Sequence, residues 1–167
     1  MVLIREIQEN DAEGFLDLCQ RLDEETQFMM LEPGERLITV TEQRERIQRI
    51  LLRENQTILV AEAGNRLVGY LAAFGGDYRR NRHNAHIVIG ILQGFAGQGI
   101  GTRLFAELDD WARRQGVHRL ELTVMAHNTA ALSLYKKMGF ENEGTKKDSL
   151  FVGGQYVDEY YMAKLLA

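Results

Sequence analysis

The chain has one cysteine and one proline in 167 residues, no surplus of basic residues, and no uninterrupted apolar run long enough to cross a bilayer. Each absence excludes something. Cys19 alone forms no internal disulfide, and no His or Cys cluster shows zinc spacing, so neither a disulfide scaffold nor a metal site is expected. A reducing cytoplasm suits such a chain. The opening MVLIREIQEN lacks the apolar core of a signal peptide, which again points to a cytoplasmic protein without a membrane partner. With 20 Lys and Arg against 24 Asp and Glu, the net charge of −4 argues against nucleic acid and anionic membranes as partners. RRNR at 79–82 is the one dense basic patch and reads as a solvated loop tip. Repeats and low-complexity tracts are missing, and Pro33 sits in LEPGER, where Pro-Gly marks a loop.

What is present is a hydrophobic share of 45%, enough for one sizeable core in a chain too short for two ordinary domains, so residues 1–167 are expected to form a single domain. Val2 to Ile7 reads as a strand. Asn10 and Glu13 then have capping-box spacing ahead of Phe15, Leu18, Cys19 and Leu22 at helical intervals, and Thr39 and Glu42 repeat the signal ahead of Ile47, Ile50 and Leu51 in a helix ending near Asn55. Thr57–Ala63 and Arg66–Phe74 are strand-like, with Gly64-Asn65 suited to a hairpin turn. Ala85 to Leu92 is almost wholly apolar, as expected of a central strand covered on both faces. Ile100, Leu104, Leu108, Trp111 and Ala112 make a helical stripe that Gly116 terminates, and RLELTV at 119–124 alternates as a strand. Strand, helix, strand implies a right-handed crossover and hence a parallel pair. Asn128 caps a helix that Gly139 stops, and two strands starting near Phe140 and Gly154 complete a mixed α/β sheet.

Four glycines fall within GFAGQGIG, residues 94–101, between the apolar strand and the helix. A glycine turn leading into a helix N-terminus offers free N–H groups at the positive end of the helix dipole, which makes an anion site; a flexible loop without a ligand fits equally well. Two well-known phosphate motifs do not fit. The spacing is G-x-G-x-G, one residue short of the dinucleotide fingerprint, and no Gly-Lys-Ser/Thr follows for a P-loop.

The stretches GILQGFAGQGIGTRLFAEL, NTAALSLYKKMGFENEG and GGQYVDEYYMAKLL, together spanning roughly residues 83 to 166, resemble the GNAT family of acetyl-CoA-dependent N-acetyltransferases, most of all the branch acting on amino acids and peptide N-termini. The resemblance implies a mostly antiparallel mixed sheet with one splayed parallel pair, flanked by about four helices. It implies acetyl-CoA as co-substrate, its pyrophosphate on the backbone of Gly97, Gln98, Gly99, Ile100, Gly101 and Thr102, its pantetheine arm on the backbone of Ile89 and Ile91, and a further contact from Asn128. Ala96 departs from the Arg or Gln the family pattern favours there. By the same resemblance the amides near Gly90 and Ile91 polarise the thioester, and Tyr135 protonates the leaving thiolate. His86 stands where relatives carry a carboxylate base, and imidazoles accept protons near neutral pH. Read from its residues alone, Asn128 is a helix cap and Tyr135 a core aromatic. His83 matches a histidine of this branch, with a structural role equally in view. Asp23, Glu24 and Glu25, at a helix C-terminus where negative charge is disfavoured, are candidates for binding a cationic amine, and a solvated acidic helix end is the commoner arrangement. The expected reaction is direct acetyl transfer to a small amine or amino acid, with a peptide N-terminus second, a noncatalytic acyl-CoA-binding module as the rival reading, and homodimers common among relatives.

Overall fold

The computed structural model describes all 167 residues. Seven strands form one sheet: β1 Val2–Glu6, β2 Gln56–Ala63, β3 Arg66–Gly75, β4 Asn84–Ile91, β5 Arg119–Met125, β6 Glu141–Val152 and β7 Gln155–Leu165. Their order is β1-β2-β3-β4-β5-β7-β6, and only β4 and β5 run parallel. Four α-helices flank it: α1 Ala12–Glu25, α2 Val40–Leu51, α3 Ile100–Gln115 and α4 Thr129–Lys137. The expected mixed sheet, parallel pair and four helices are all present.

Local chemistry explains most boundaries. Gly64 and Asn65 both adopt positive φ, 57° and 65°, which a two-residue hairpin turn requires. The Thr39 side chain accepts from the Glu42 N–H at 3.1 Å while the Glu42 carboxylate accepts from the Thr39 N–H, closing the capping box. At α1 the box lies two residues earlier than Asn10 and Glu13: a 3-10 turn over Glu9–Asp11 precedes the helix, and the Gln8 N–H donates to Asp11 Oδ2 at 2.7 Å. Arg5 fixes Asp11 there through two hydrogen bonds of 2.8 and 2.9 Å, a tie from the preceding strand that the capping-box spacing does not contain. Helix α2 stops at Leu51, short of Asn55.

The core lies between β2, β3 and β4 and the helices on either face. Gly90 of β4 faces α1, where an added Cβ would lie 2.8 Å from Leu22 Cδ1, whereas Ile91 faces α3, its Cδ1 lying 3.5 Å from where Gly101 would carry a Cβ. Even-numbered β4 side chains therefore look toward α1, odd-numbered ones toward α3. Contrary to the expectation of complete cover, His86 is exposed and Val88, Ile89 and Ile91 are only half-buried. The reason is the neighbouring strand.

Candidate active site

Strands β4 and β5 are in register at only three places, Asn84 with Arg119, Ala85 with Leu120 and His86 with Glu121, after which they part. On its other side β4 stays paired with β3 from Gly75 and Ala85 to Gly69 and Ile91. The direction of the peptide groups follows from two bonds. The Leu92 N–H donates to the Val68 carbonyl at 2.9 Å, and the Asn84 carbonyl accepts from the Gly76 N–H at 3.1 Å, so even-numbered residues turn their peptide groups to β3. Odd-numbered residues turn theirs to β5, as the His83 carbonyl does in accepting from the Arg119 N–H at 3.0 Å. Beyond His86 no β5 partner remains, so the N–H and C=O groups of Ile89 and Ile91 face an open seam. The amide of Gly90 does not; it belongs to the β3 ladder, which removes it from the expected polarising pair.

The seam opens into a cleft of about 760 Å³. At one end stands the glycine loop. Gly97 and Gly99 have φ of 74° and 79°, and nothing lies within 4 Å of where either would carry a Cβ, so both positions require glycine for backbone conformation and leave clear space above it. The first bond of α3 runs from the Arg103 N–H to the Gly99 carbonyl, which leaves the amides of Ile100, Gly101 and Thr102 as the free donors of the helix end. Gly101 serves a different purpose: a Cβ there would come within 2.7 Å of Leu134 Cδ2, so it permits α3 to pack on α4. Ile100 offers only its backbone, its side chain being buried, and Gln98 is exposed outside the cleft wall.

Tyr135 reaches the cleft from α4, its ring packed edge-on to Phe105 at 5.9 Å and tilted against Phe140 at 6.1 Å. Burial alone pushes its phenol up to about 12, with no hydrogen bond from the chain contributing, so the proton stays on oxygen at neutral pH. Asn128 caps α4 and also lies on the cleft. Its Oδ1 accepts from the Ala131 N–H at 3.2 Å as the α4 cap, and the residue lines the cleft with its NH₂ group free. His86 lines the opposite face of the seam, toward α1. His83 lies outside the cleft, its carbonyl accepting from the amides of His118 and Arg119.

A family model for the acetyltransferase (GNAT) family matches residues 16–140, three quarters of the chain. The chain belongs to the GNAT family. Among curated GNAT relatives it is 38% identical over 111 residues to the L-amino acid N-acetyltransferase AaaT of Escherichia coli, covering 64% of this chain and 67% of that one. It is 37% identical over 109 residues to the N-alpha-acetyltransferase RimI of Mycobacterium tuberculosis, 62% and 63% of the two chains. A solved GNAT acetyltransferase from Streptococcus pneumoniae superimposes with a TM-score of 0.96 at 30% identity, over 100% of both chains. The structure of yncA from Salmonella typhimurium with its cofactor acetyl-CoA has the same fold, with a TM-score of 0.87 at 19% identity over 99% of this chain and 94% of that one.

Within this GNAT fold, two of the three acids at the end of α1 are bonded within the chain. Asp23 is 2% exposed and takes two hydrogen bonds from Arg36, at 2.8 and 3.0 Å. Glu25 Oε1 accepts from the Gln93 N–H at 2.7 Å, which ties α1 to the loop after β4. Glu24 is exposed. Two other groups at the cleft escaped the sequence reading. Lys137 donates to Thr102 Oγ1 at 3.2 Å, which sets a positive charge beside the free helix amides; its place after Lys136 in the second motif was the only signal. Phe28, Met29 and Met30 roof the α1 side of the cleft from the irregular segment after α1, where no periodicity announces them.

Proposed function

We propose that this chain transfers acetyl from acetyl-CoA to the primary amine of a small molecule or amino acid, by direct attack and as a single domain. The observation that carries the reading is the seam, with free peptide groups at Ile89 and Ile91, an anion cradle at one end and an unpartnered phenol at its wall. The residues present suit acetyl-CoA. Its pyrophosphate matches the amides of Ile100, Gly101 and Thr102 over the clear space at Gly97 and Gly99, with Lys137 adding charge. Its extended arm matches a strand edge, as a peptide adds to a sheet.

The chemistry then divides among few groups. The outward amides of Ile89 and Ile91 are the donors available to the thioester oxygen as it gains negative charge. Tyr135 donates its phenolic hydrogen to the departing sulfur; because burial holds that proton tightly, the gain is greatest late in bond breaking, when the sulfur is most basic. His86, on the α1 face, takes the proton of the attacking amine. The likeness to AaaT, an L-amino acid N-acetyltransferase, favours a small acceptor. The second reading, a peptide N-terminus, draws on the name of RimI and on exposed Met30 at the cleft mouth, where a first side chain can lie. Cytoplasmic action suits the buried, unpaired Cys19, and the exposed Phe151 and Tyr156 at the β6–β7 tip suit a homodimer.

Thiol release from acetyl-CoA across a panel of amines, amino acids and short peptides tests the function. Amine-dependent release is expected; acetyl-CoA binding without release by any acceptor would leave the noncatalytic reading. In the same assay His86→Ala lowers turnover most at low pH, where the amine is protonated, with KM for acetyl-CoA unchanged. A pH–rate profile identical to that of the unaltered chain removes His86 from the reaction.

A further inference from the structure

Glu159 stands on β7 opposite Met125, where β4 and β5 have moved furthest apart, and it lines the cleft. Its side chain is 6% exposed, a position in which a carboxylate is costly unless compensated. One oxygen is compensated within the chain. Oε1 accepts from Ser149 Oγ at 2.9 Å and lies 3.6 Å from Lys146 Nζ. That separation exceeds the roughly 2.7–2.9 Å of a charge-assisted hydrogen bond, and the lysine, itself 38% exposed, also lies 5.5 Å over the Tyr161 ring. Lys146 is thus a loose partner at the rim. Oε2 accepts no hydrogen bond from the chain and is not among the unpartnered atoms sealed inside the fold.

The surroundings narrow the complement of that oxygen. Phe28, Met29, Met30 and Leu150 bring only apolar side chains to the cleft wall, so none of the four offers Oε2 a hydrogen bond. Glu25, the other carboxylate on the cleft, also accepts one bond through Oε1, from the Gln93 amide, but it is exposed, so water serves its remaining oxygen. His86 and Glu121 are register partners and so share the α1 face, and β5 carries the same face through Met125 to Glu159. The cleft is therefore polarised across the sheet. Lys137 and the helix amides make the α3 and α4 side positive, and Glu159 makes the α1 side negative.

We propose that Glu159 is a specificity-determining residue that binds the ammonium group of the arriving acceptor through Oε2. The acceptor is accordingly a cationic primary amine whose carbon frame lies against Phe28, Met29, Met30 and Leu150. This assignment rests on the acetyl-transfer reading and adds the acceptor's charge and shape to it. The amine approaches from the α1 face, where His86 also lies, while the anionic co-substrate enters from the other side.

Initial rates of thiol release with leucinamide as acceptor test it on the full chain. In Glu159→Gln, which keeps the size of the side chain and an oxygen for Ser149, KM for leucinamide rises about 10- to 100-fold, the loss expected for one hydrogen bond to a charged group. KM for acetyl-CoA stays within about twofold, and Glu159→Asp recovers part of the loss. A second measurement needs no variant: 2-hydroxy-4-methylpentanamide, the neutral hydroxyl analogue, inhibits the unaltered chain with a Ki about tenfold or more above the leucinamide KM. An unchanged leucinamide KM in folded Glu159→Gln, an equal rise in the acetyl-CoA KM, or a hydroxyl analogue that binds as well as the amine overturns the assignment while leaving acetyl transfer intact. Absence of release by the unaltered chain with every amine overturns acetyl transfer itself, and the role of Glu159 with it.

Discussion

From β2 to β3 the sheet is dry, with Ile58 to Ala61 and Leu67 to Ala73 buried in unbroken runs between α1 and α2 on one face and α3 on the other. Beyond the seam the same sheet is half bare: β6 has no buried residue, and of β7 only Glu159, Met162 and Ala163 are buried. The first half is stabilised by apolar burial on two faces; the second leans on strand pairing, charged side chains and hairpin turns. The edge strand β6 is guarded accordingly, by Lys146 and Lys147 and by breaks in register at Asn142/Gly144 and Lys146/Leu150. The contrast teaches where chemistry can sit. A free strand edge, a phenol without a partner and a half-compensated carboxylate are too costly inside the dry half and too hydrated outside it, and all three lie at the boundary.

The sharpest test of that boundary is Tyr135→Phe. No hydrogen bond from the chain shifts the phenol, so stability changes by less than about 1 kcal/mol, while turnover falls by roughly 10²–10⁴ if general-acid assistance is removed. Melting temperature, acetyl-CoA affinity and turnover on one preparation check it; near-normal turnover returns the residue to the core. The two halves themselves are compared by truncation. Leu71→Ala, in the dry half, costs about 2–5 kcal/mol, whereas Tyr161→Ala on the bare face, a ring 47% exposed beneath Lys146, costs less than about 1 kcal/mol in denaturant unfolding. Equal costs would mean that the bare half is packed by a partner in solution.

A finer contrast lies within the glycine loop. Gly101→Val crowds Leu134 and destabilises the chain by about 1–3 kcal/mol. Gly99→Val strains a φ of 79° and fills the clear space, so the affinity for acetyl-CoA, measured by calorimetry, falls at least about tenfold. Stability and affinity should therefore separate between the two variants. A further effect appears only in alkali. Burial pushes the Cys19 thiol up to about 11 and the Tyr135 phenol to about 12, above ordinary values of about 9 and about 10. Between those values the folded chain holds protons that the unfolded chain has released. The contribution is therefore complete below about pH 9 and is lost as pH climbs toward 12. Thermal unfolding from pH 8 to 12 checks the slope, and Tyr135→Phe flattens its upper part.

Much of this was readable beforehand because it is written in neighbouring residues. Gly64-Asn65, the Thr39 and Glu42 pair and Gly116 each fix a boundary through φ or capping within a few positions. The motifs carried the glycine loop, Asn128 and Tyr135. What stayed hidden depends on distant partners. Asp23 looked like a free acid until Arg36, thirteen residues on, was found bonded to it. The capping box lies at Gln8 and Asp11, on the 3-10 turn ahead of α1, because Arg5 holds Asp11. Gly90, assigned to the seam with Ile91, points its amide the other way, since alternation gives neighbouring residues of a strand opposite edges.

By itself the sequence determined which segments are helix or strand, where the turns need positive φ, and that a backbone cradle follows the fourth strand, because each is a short-range consequence of side-chain period and local sterics. The tertiary structure alone decided that β4 and β5 part after three pairs, that Ile89 and Ile91 are the residues left facing the gap, and that Glu159 reaches the gap from a strand more than sixty residues away along the chain. Register and divergence between strands depend on packing among residues far apart in the chain, which no local pattern records.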